Sequence, residues 1–375
     1  MMKWCSNIKY NVYKKKLVWD GGKKSRITRI EPMKEPIDFV VTWVDGKDPE
    51  WLSIKGQYEK KYGMKIENAG NGEERYRDWD IFQYWFRAVE KYAPWVRYVY
   101  LVTCGQTPTW INTNAPKLKI INHTDFIPHQ YLPTFSSNPI ELNLHRIKGL
   151  SEYFVYFNDD VFLNRPVCPE DFFRGGKPNY TAVVRPLKNI TNGAFEHMQF
   201  STMSVINSYF GEEISQRIQD FPEKWFSEKY GRYYIDWNLH AFDKNYLPGI
   251  VFPHLAVAYK KSIMEKVWNI APEMLHETSL HRLRTPKDII HQVFSIWAML
   301  EGDFNAVSKE HHGKVFSAQV KDKEEIVDAI INEKYRMICI NDSEQLSQSE
   351  YLVLKDIVKG AFEKKFLEKS QYEKA

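Results

Sequence analysis

The stretch YFVYFNDD, Tyr153 to Asp160, decides how the chain is to be read. Five aromatic and β-branched residues run without alternation and stop abruptly at Asn158, Asp159 and Asp160. The run is too short for a helix of its own. Apolar on both faces, it predicts a strand covered on both sides, as in a parallel sheet. In open α/β sheets, ligands collect just beyond the carboxyl ends of the strands. Two carboxylates and an amide at that spot suit a divalent cation carrying a phosphate, because magnesium takes hard oxygens and usually only one or two protein carboxylates. The same residue types also make an ordinary polar turn.

Upstream, IDFVVTWV from Ile37 to Val44 predicts another buried strand. It ends in the turn Asp45-Gly46-Lys47-Asp48-Pro49, where small residues and backbone amides can approach a nucleotide. Ile81, Tyr84, Trp85, Ala88, Val89 and Tyr92 form one apolar stripe of a helix that Asp78 is placed to cap and Pro94 to end. Arg75 and Arg77, ahead of the cap, are ligand candidates. Strands are expected at Arg97–Thr103 and Leu118–Asn122. The order strand, helix, strand, strand predicts an α/β, Rossmann-like sheet flanked by helices. No GxGxxG is present, so the usual dinucleotide fingerprint is absent.

A helix from Ile140 to about Leu150 leads into the opening strand and carries Glu141, Asn143 and Arg146. Glu141 near its start also suits the helix dipole. Beyond Pro166 the pattern is mostly helical: Phe200–Phe210, Ile214–Asp220, part of Lys224–Tyr230, Lys261–Asn269 and Asp288–Met299, the last with Asp288 as its cap. Tyr335–Ile340 predicts a late strand ending in Asn341-Asp342. Ser343 is placed to cap a final amphipathic helix, Glu344–Glu368, expected to pack on the body. The resulting divisions are a basic arm (1–36), an α/β core (37–180), a mostly helical insertion carrying His254 and Arg284 (181–310), and a C-terminal strand returning to the core plus a helix (311–375).

Composition is that of a globular chain: 375 residues, 43% hydrophobic and 27% charged. A net charge of +4 without a zinc-finger or RNP-like motif argues against nucleic acid. Cys5, Cys104, Cys168 and Cys339 are scattered, with no CxxC, as in a reducing compartment. No apolar run reaches the roughly 20 residues of a membrane span. The expected location is the cytoplasm, with peripheral contact at the inner face of the membrane left open. The lysine-rich segment before Lys34 is either a solvated arm or a surface for anionic lipid or glycan.

Four blocks, in order, resemble the Stealth family of sugar-phosphate transferases, which includes bacterial capsular polysaccharide phosphotransferases and the animal N-acetylglucosamine-1-phosphotransferase of lysosomal targeting. They are IDFVVTWVDGKDPEW from Ile37; RYRDWD at Arg75 through LPTFSSNPIELNLHRIKGL and YFVYFNDDVFL to Leu163; PHLAVAYKKSIMEKVW from Pro253 through SLHRLRTPKDI; and ICINDSE from Ile338. The resemblance implies a glycosyltransferase-A-like sheet. It also implies transfer of a sugar 1-phosphate from a nucleotide sugar, UDP-linked by expectation, to a hydroxyl of a polysaccharide or oligosaccharide, with release of a nucleoside monophosphate. It implies catalytic roles for Glu141, Asp160, His254 and Arg284. Nucleotide or substrate contacts are implied for Trp43, Asp45, Gly46, Asp48 and Arg77, with Asn143 and Arg146 as further candidates. The metal, Mg²⁺ or Mn²⁺, is expected on Asp159, Asp160 and Asn341. One departure stands out: Asp80-Ile81 occupies a place where the family often has Gly or Asn-Glu.

Physically, phosphoryl transfer asks for positioning and charge neutralisation. Arg284 can fork onto phosphate and His254 can donate to it. Asp160 and Glu141 are both candidates for the base. A metal-dependent glycosyltransferase releasing a nucleoside diphosphate is the alternative activity, and a glycan-binding scaffold is the non-enzymatic one.

Overall fold

The computed structural model describes residues 33–63, 72, 76–187, 194–342 and 346–375. The basic arm before residue 33, Arg75 and Ser343 lie outside the described residues.

The central sheet has five strands in the order β3-β2-β1-β4-β8. Its members are β1 (Ile37–Thr42), β2 (Val99–Thr103), β3 (Leu118–Asn122), β4 (Tyr153–Phe157) and β8 (Val257–Lys260). β1 runs parallel to β2 and to β4, with Val41 opposite Phe157, and β2 is parallel to β3. β8 closes the edge antiparallel to β4, pairing Tyr156 with Val257. The order reverses direction at β1, so the carboxyl ends of β1 and β4 open a crevice between them.

Both faces of this sheet are covered, which is why β1 and β4 read as continuous apolar runs. Phe39, Val41, Val155 and Phe157 enter one core with Trp85, Leu354, Val358 and Phe362. Val40, Phe154 and Tyr156 enter another with Tyr259, Met264, Phe294 and Trp297. The helices between Ala194 and Leu300 therefore cover one face, and the helix Phe82–Tyr92 lies on the other with Trp85 edge-on to Phe157, the C-terminal helix packing beside it through Phe362 on Tyr84. The segment expected as an insertion also supplies β8 to the central sheet. In β1, the buried carboxylate of Asp38 is held by Arg97 and by the Ser151 amide at 2.8 Å.

Two small sheets flank the centre. β5 (Val161–Leu163), β10 (Lys314–Ser317) and β11 (Met337–Asn341) form the order β10-β11-β5. β6 (Phe173–Arg174), β7 (Lys177–Tyr180) and β9 (Asn305–Ala306) form the other. The late strand thus returns to β5, antiparallel, and not to the central sheet. Its Ile340 amide donates to the Asp160 carbonyl at 3.0 Å, so β11 is fastened to the turn that ends YFVYFNDD.

The helix Phe82–Tyr92 buries every residue of its expected stripe within it, and Ile81 just ahead of it. Its cap differs from expectation. Ile81 precedes it without a side-chain bond, while Asp78 accepts the Asp80 amide at 2.8 Å in a tight turn. Asp80 sits there at φ 50, a left-handed conformation that glycine and asparagine adopt with least cost. Asp288 likewise does not cap Gln292–Leu300; it is fully buried and accepts from Asn138, Thr285 and His281. The final helix runs Gln348–Lys365, with Ser347 and Glu350 forming its capping box. Leu352 and Val353 of this helix point to solvent, while Leu354, Val358 and Phe362 pack. No helix among the described residues is long and apolar enough to cross a membrane.

Candidate active site

A cavity of about 280 Å³ lies at the crevice between the ends of β1 and β4. The central sheet delivers Trp43 after β1 and Asn158, Asp159 and Asp160 after β4. The short helix Ser137–Asn143, capped by Ser136, delivers Glu141. The chain before β8 brings His254, the loop ahead of Gln292–Leu300 brings Arg284, and β11 ends there in Asn341 and Asp342.

Asp160 touches two other side chains of the site. Its Oδ2 lies 3.2 Å from His254 Nε2 and accepts from the Cys339 thiol at 3.3 Å. Asn158 Nδ2 reaches the same His254 Nε2 at 3.3 Å. The two contacts compete, because a nitrogen that donates to a carboxylate cannot also accept an amide N–H. The Asn158 carbonyl closes the turn onto the Val161 amide at 3.2 Å. Glu141 is buried; its Oε1 accepts the Tyr156 hydroxyl at 2.9 Å. Tyr156 in turn lies 3.1 Å from Thr42 Oγ1, so Thr42 donates to Tyr156 and Tyr156 to Glu141. Burial and the neighbouring Glu141 charge hold the Tyr156 phenol well above its usual range, so it stays a donor. Arg284 Nη2 donates to Ser137 Oγ at 3.0 Å.

Metal donors converge on Asp160. Donor atoms of Asp160, His254 and Cys339 lie within 4.8 Å of one another. Cys339 supplies a thiol and not a thiolate, since burial and then the Asp160 charge push its pKa well up. The second oxygen of Asp160, Oδ1, is buried and has no hydrogen-bond partner among the described residues. Such an orphan costs about 1–3 kcal/mol or more. Asp159 is open on its cavity side, yet desolvation by the crowded cleft and then the Asp160 charge push its carboxyl up to about 7. Two crowded carboxylates with an unmet oxygen fit a hard divalent cation, and Asp159 and Asp160 would hold it.

Among the other expected residues, Trp43 lines the cavity and stacks on Phe82 with centroids 6.1 Å apart. Arg77 lines it too, but its guanidinium forks onto Asp342, Nε to Oδ2 at 2.9 Å and Nη2 to Oδ1 at 2.6 Å. The Trp79 indole donates to the same carboxylate at 3.1 Å.

Asp45, Gly46 and Asp48 do not line the cavity. Asp48 caps the helix Pro49–Tyr62, accepting from the Glu50 and Trp51 amides, and a Gln106 hydrogen bond ahead of these lowers its pKa. Asp45 accepts from the Lys47 amide, and a Cβ on Gly46 would collide with the Tyr76 carbonyl. Asn143 and Arg146 also lie outside it. Asn143 donates to the Pro139 carbonyl and to Ser279, while Arg146 stacks over Trp268. His123 and His291 line the cavity without being singled out from sequence, and Asp78, read there only as a helix cap, lines it too. Only His291 left a signal, a lone imidazole in the apolar run around Ile289–Leu300.

Two models of one family, Stealth protein conserved regions 1 and 2, match residues 35–63 and 75–180. The chain belongs to the Stealth family and is a phosphotransferase. It is 40% identical to the capsular polysaccharide phosphotransferase WcwK of Streptococcus pneumoniae over 345 residues, 91% of this chain and 100% of that one. It is 39% identical to the receptor polysaccharide phosphotransferase WefC of Streptococcus gordonii, over 91% of this chain and 100% of that one. The exopolysaccharide phosphotransferase cps2G of Lactiplantibacillus plantarum is 38% identical, over 90% and 96% respectively. A loose likeness to the apo WbbM bifunctional glycosyltransferase, at TM-score 0.36 and 7% identity over 90% of this chain and 52% of that one, adds nothing to the assignment.

Proposed function

We propose that this phosphotransferase moves a sugar 1-phosphate from a nucleotide diphosphate sugar to a hydroxyl of a capsular or exopolysaccharide. A phosphodiester forms and a nucleoside monophosphate leaves. The observation that carries this reading is the meeting of Asp159 and Asp160, after β4, with His254 and Arg284 in one cavity at the sheet's reversal point. The relatives are named for capsular, receptor and exopolysaccharide transfer, which supports a polymer acceptor. The same reading takes the sheet as glycosyltransferase-A-like, supported by the parallel order β3-β2-β1-β4 and its acidic strand end. A nucleotide sugar donor goes with a reaction in the cytoplasm.

The charge balance supports the roles. The donor diphosphate carries about two negative charges, which the transition state spreads over equatorial oxygens. Arg284 can fork onto two of those oxygens, and His254 can donate to a third. Mg²⁺ or Mn²⁺ on Asp159 and Asp160 would neutralise further charge. With Asp160 committed to His254 and the cation, Glu141 is the carboxylate left to take the acceptor proton, aimed by Tyr156.

The test is to incubate the protein with a panel of nucleotide sugars and hydrolysed polysaccharide. The expected outcome is nucleoside monophosphate in solution and a phosphodiester signal by phosphorus NMR. Nucleoside diphosphate with no phosphorus in the product would overturn the proposal in favour of glycosyl transfer. Excess chelator should abolish turnover and Mg²⁺ or Mn²⁺ restore it; full activity in chelator would remove the metal from the scheme.

A further inference from the structure

His291 lies at the start of the buried helix Gln292–Leu300 and faces the cavity beside Glu141. Its Nε2 is 4.0 Å from Glu141 Oε2, with the two side chains 12% and 4% exposed. That separation is too long for a direct hydrogen bond. It leaves room for one oxygen about 2.8 Å from each atom, placed to the side of the line joining them.

The geometry sets what such an oxygen must be. The Tyr259 hydroxyl lies 2.6 Å from His291 Nδ1 and 3.2 Å from the carbonyl of the same residue. Its one proton can go to the nitrogen or to the carbonyl, so Tyr259 accommodates either ring tautomer. The facing Glu141 carboxylate decides between them: a bare Nε2 would set lone pairs against it, so the ring proton sits on Nε2 and Tyr259 donates to Nδ1. Burial, ahead of any charge, lowers the His291 pKa and keeps the ring neutral. The two halves of the cradle are held by neighbouring strands: Tyr156 on β4 holds Glu141, and Tyr259 on β8 holds His291. Tyr156 also packs edge-on against the His291 ring, centroids 5.4 Å apart. The gap thus offers one acceptor, Glu141 Oε2, and one donor, His291 Nε2–H. A neutral hydroxyl matches both at once: it gives its proton to the carboxylate and takes the imidazole N–H on a lone pair.

We propose that His291 is an acceptor-binding residue, holding the attacking sugar hydroxyl against Glu141 so that its lone pair is aimed while its proton is removed. The inference rests on the proposed transfer reaction. In the step, the hydroxyl oxygen forms the new bond to phosphorus, the phosphorus–oxygen bond to the departing nucleoside monophosphate breaks, and the hydroxyl proton passes to Glu141.

Steady-state kinetics with the full chain test it, comparing wild type with His291→Ala, His291→Gln and Tyr259→Phe. Losing one hydrogen bond to the reacting hydroxyl should lower kcat/KM for the acceptor about 10- to 100-fold. The donor KM and the slow hydrolysis of donor by water should change by less than about threefold. Glutamine, which keeps an N–H near Nε2, should recover most of the loss. Thermal melting of each variant identifies any that fails to fold, and the glutamine and Tyr259→Phe variants then carry the comparison. Acceptor kcat/KM within twofold of wild type, or an equal rise in donor KM, overturns the assignment. A wild-type chain that consumes no nucleotide sugar instead overturns the transfer reaction, and the His291 role with it.

Discussion

Arg77 and Asp342 should be energetically coupled across the whole core of the protein. They are 265 residues apart in sequence, and they join the turn before the helix Phe82–Tyr92 to the end of β11 by two charge-assisted hydrogen bonds. The side chains are only 15% and 10% exposed. At an effective dielectric near 20, unit charges about 4 Å apart attract by about 4 kcal/mol. Desolvation offsets part of this, so a coupling of about 1.5–3 kcal/mol is expected. The cycle is Arg77→Ala, Asp342→Ala and the double variant, each unfolded in urea with slopes checked for a common two-state transition. Asp342→Ala should be the more damaging single change, because it also strips the Trp79 indole of its acceptor. Salt at 1 M should erode the coupling little, since a largely buried pair is poorly screened. A coupling below about 0.5 kcal/mol would refute the idea that this pair pins the C-terminal strand to the site.

Tyr156→Phe removes the donor that aims Glu141 and leaves Thr42 without its partner; kcat should fall about tenfold or more, at a stability cost of about 1–3 kcal/mol. Activity and urea midpoint both unchanged would count against it. Burial holds His145 at about 3 and His123 at about 4, below the ordinary value of 6.5. The unfolded chain therefore binds more protons than the native one below pH 6.5, so stability is full above that value and is lost as pH falls toward 4. The loss should be roughly 2 kcal/mol per histidine by pH 5, and a flat urea midpoint from pH 7 to 5 would contradict it.

Much of the frame can be read in the chain because burial on both faces writes itself as unbroken apolar runs. β1, β2 and β4 and the stripe from Tyr84 to Tyr92 follow directly from that. β8 does not, because four residues, Val257 to Lys260, are too few to show a period before the helix begins. The partner of β11 was invisible for another reason: register and neighbour are tertiary choices, and β5 has only three residues. Single caps misled in the same way. Asp78 and Asp288 have the residue type and spacing of caps, yet one folds a turn and the other sits at the centre of a buried hydrogen-bond cluster.

Of the candidate site, the residues after strand ends were legible where the strand itself points at the crevice, as with Trp43, Asp159 and Asp160. Asp45 to Asp48 continue one turn further and are used up by helix capping and by Gln106. Asn143 and Arg146 share a segment with Glu141 but not a direction, because the α-helix ends at Asn143 and a tighter turn follows. His291 could be weighed only after Tyr259 and Glu141 had been placed beside it.

The hydrogen bond from Ile340 to the Asp160 carbonyl has a consequence for synthesis. Domains tend to fold from the N-terminal side as they leave the ribosome. The acidic turn at Asp160 is made well before the strand that braces it, Met337–Asn341, leaves the ribosome. A chain that has reached β4 can therefore pair four of the five central strands and still lack a braced site. Competence of the site waits on a strand that follows the turn only after the whole helical stretch between Ala194 and Leu300 has been made.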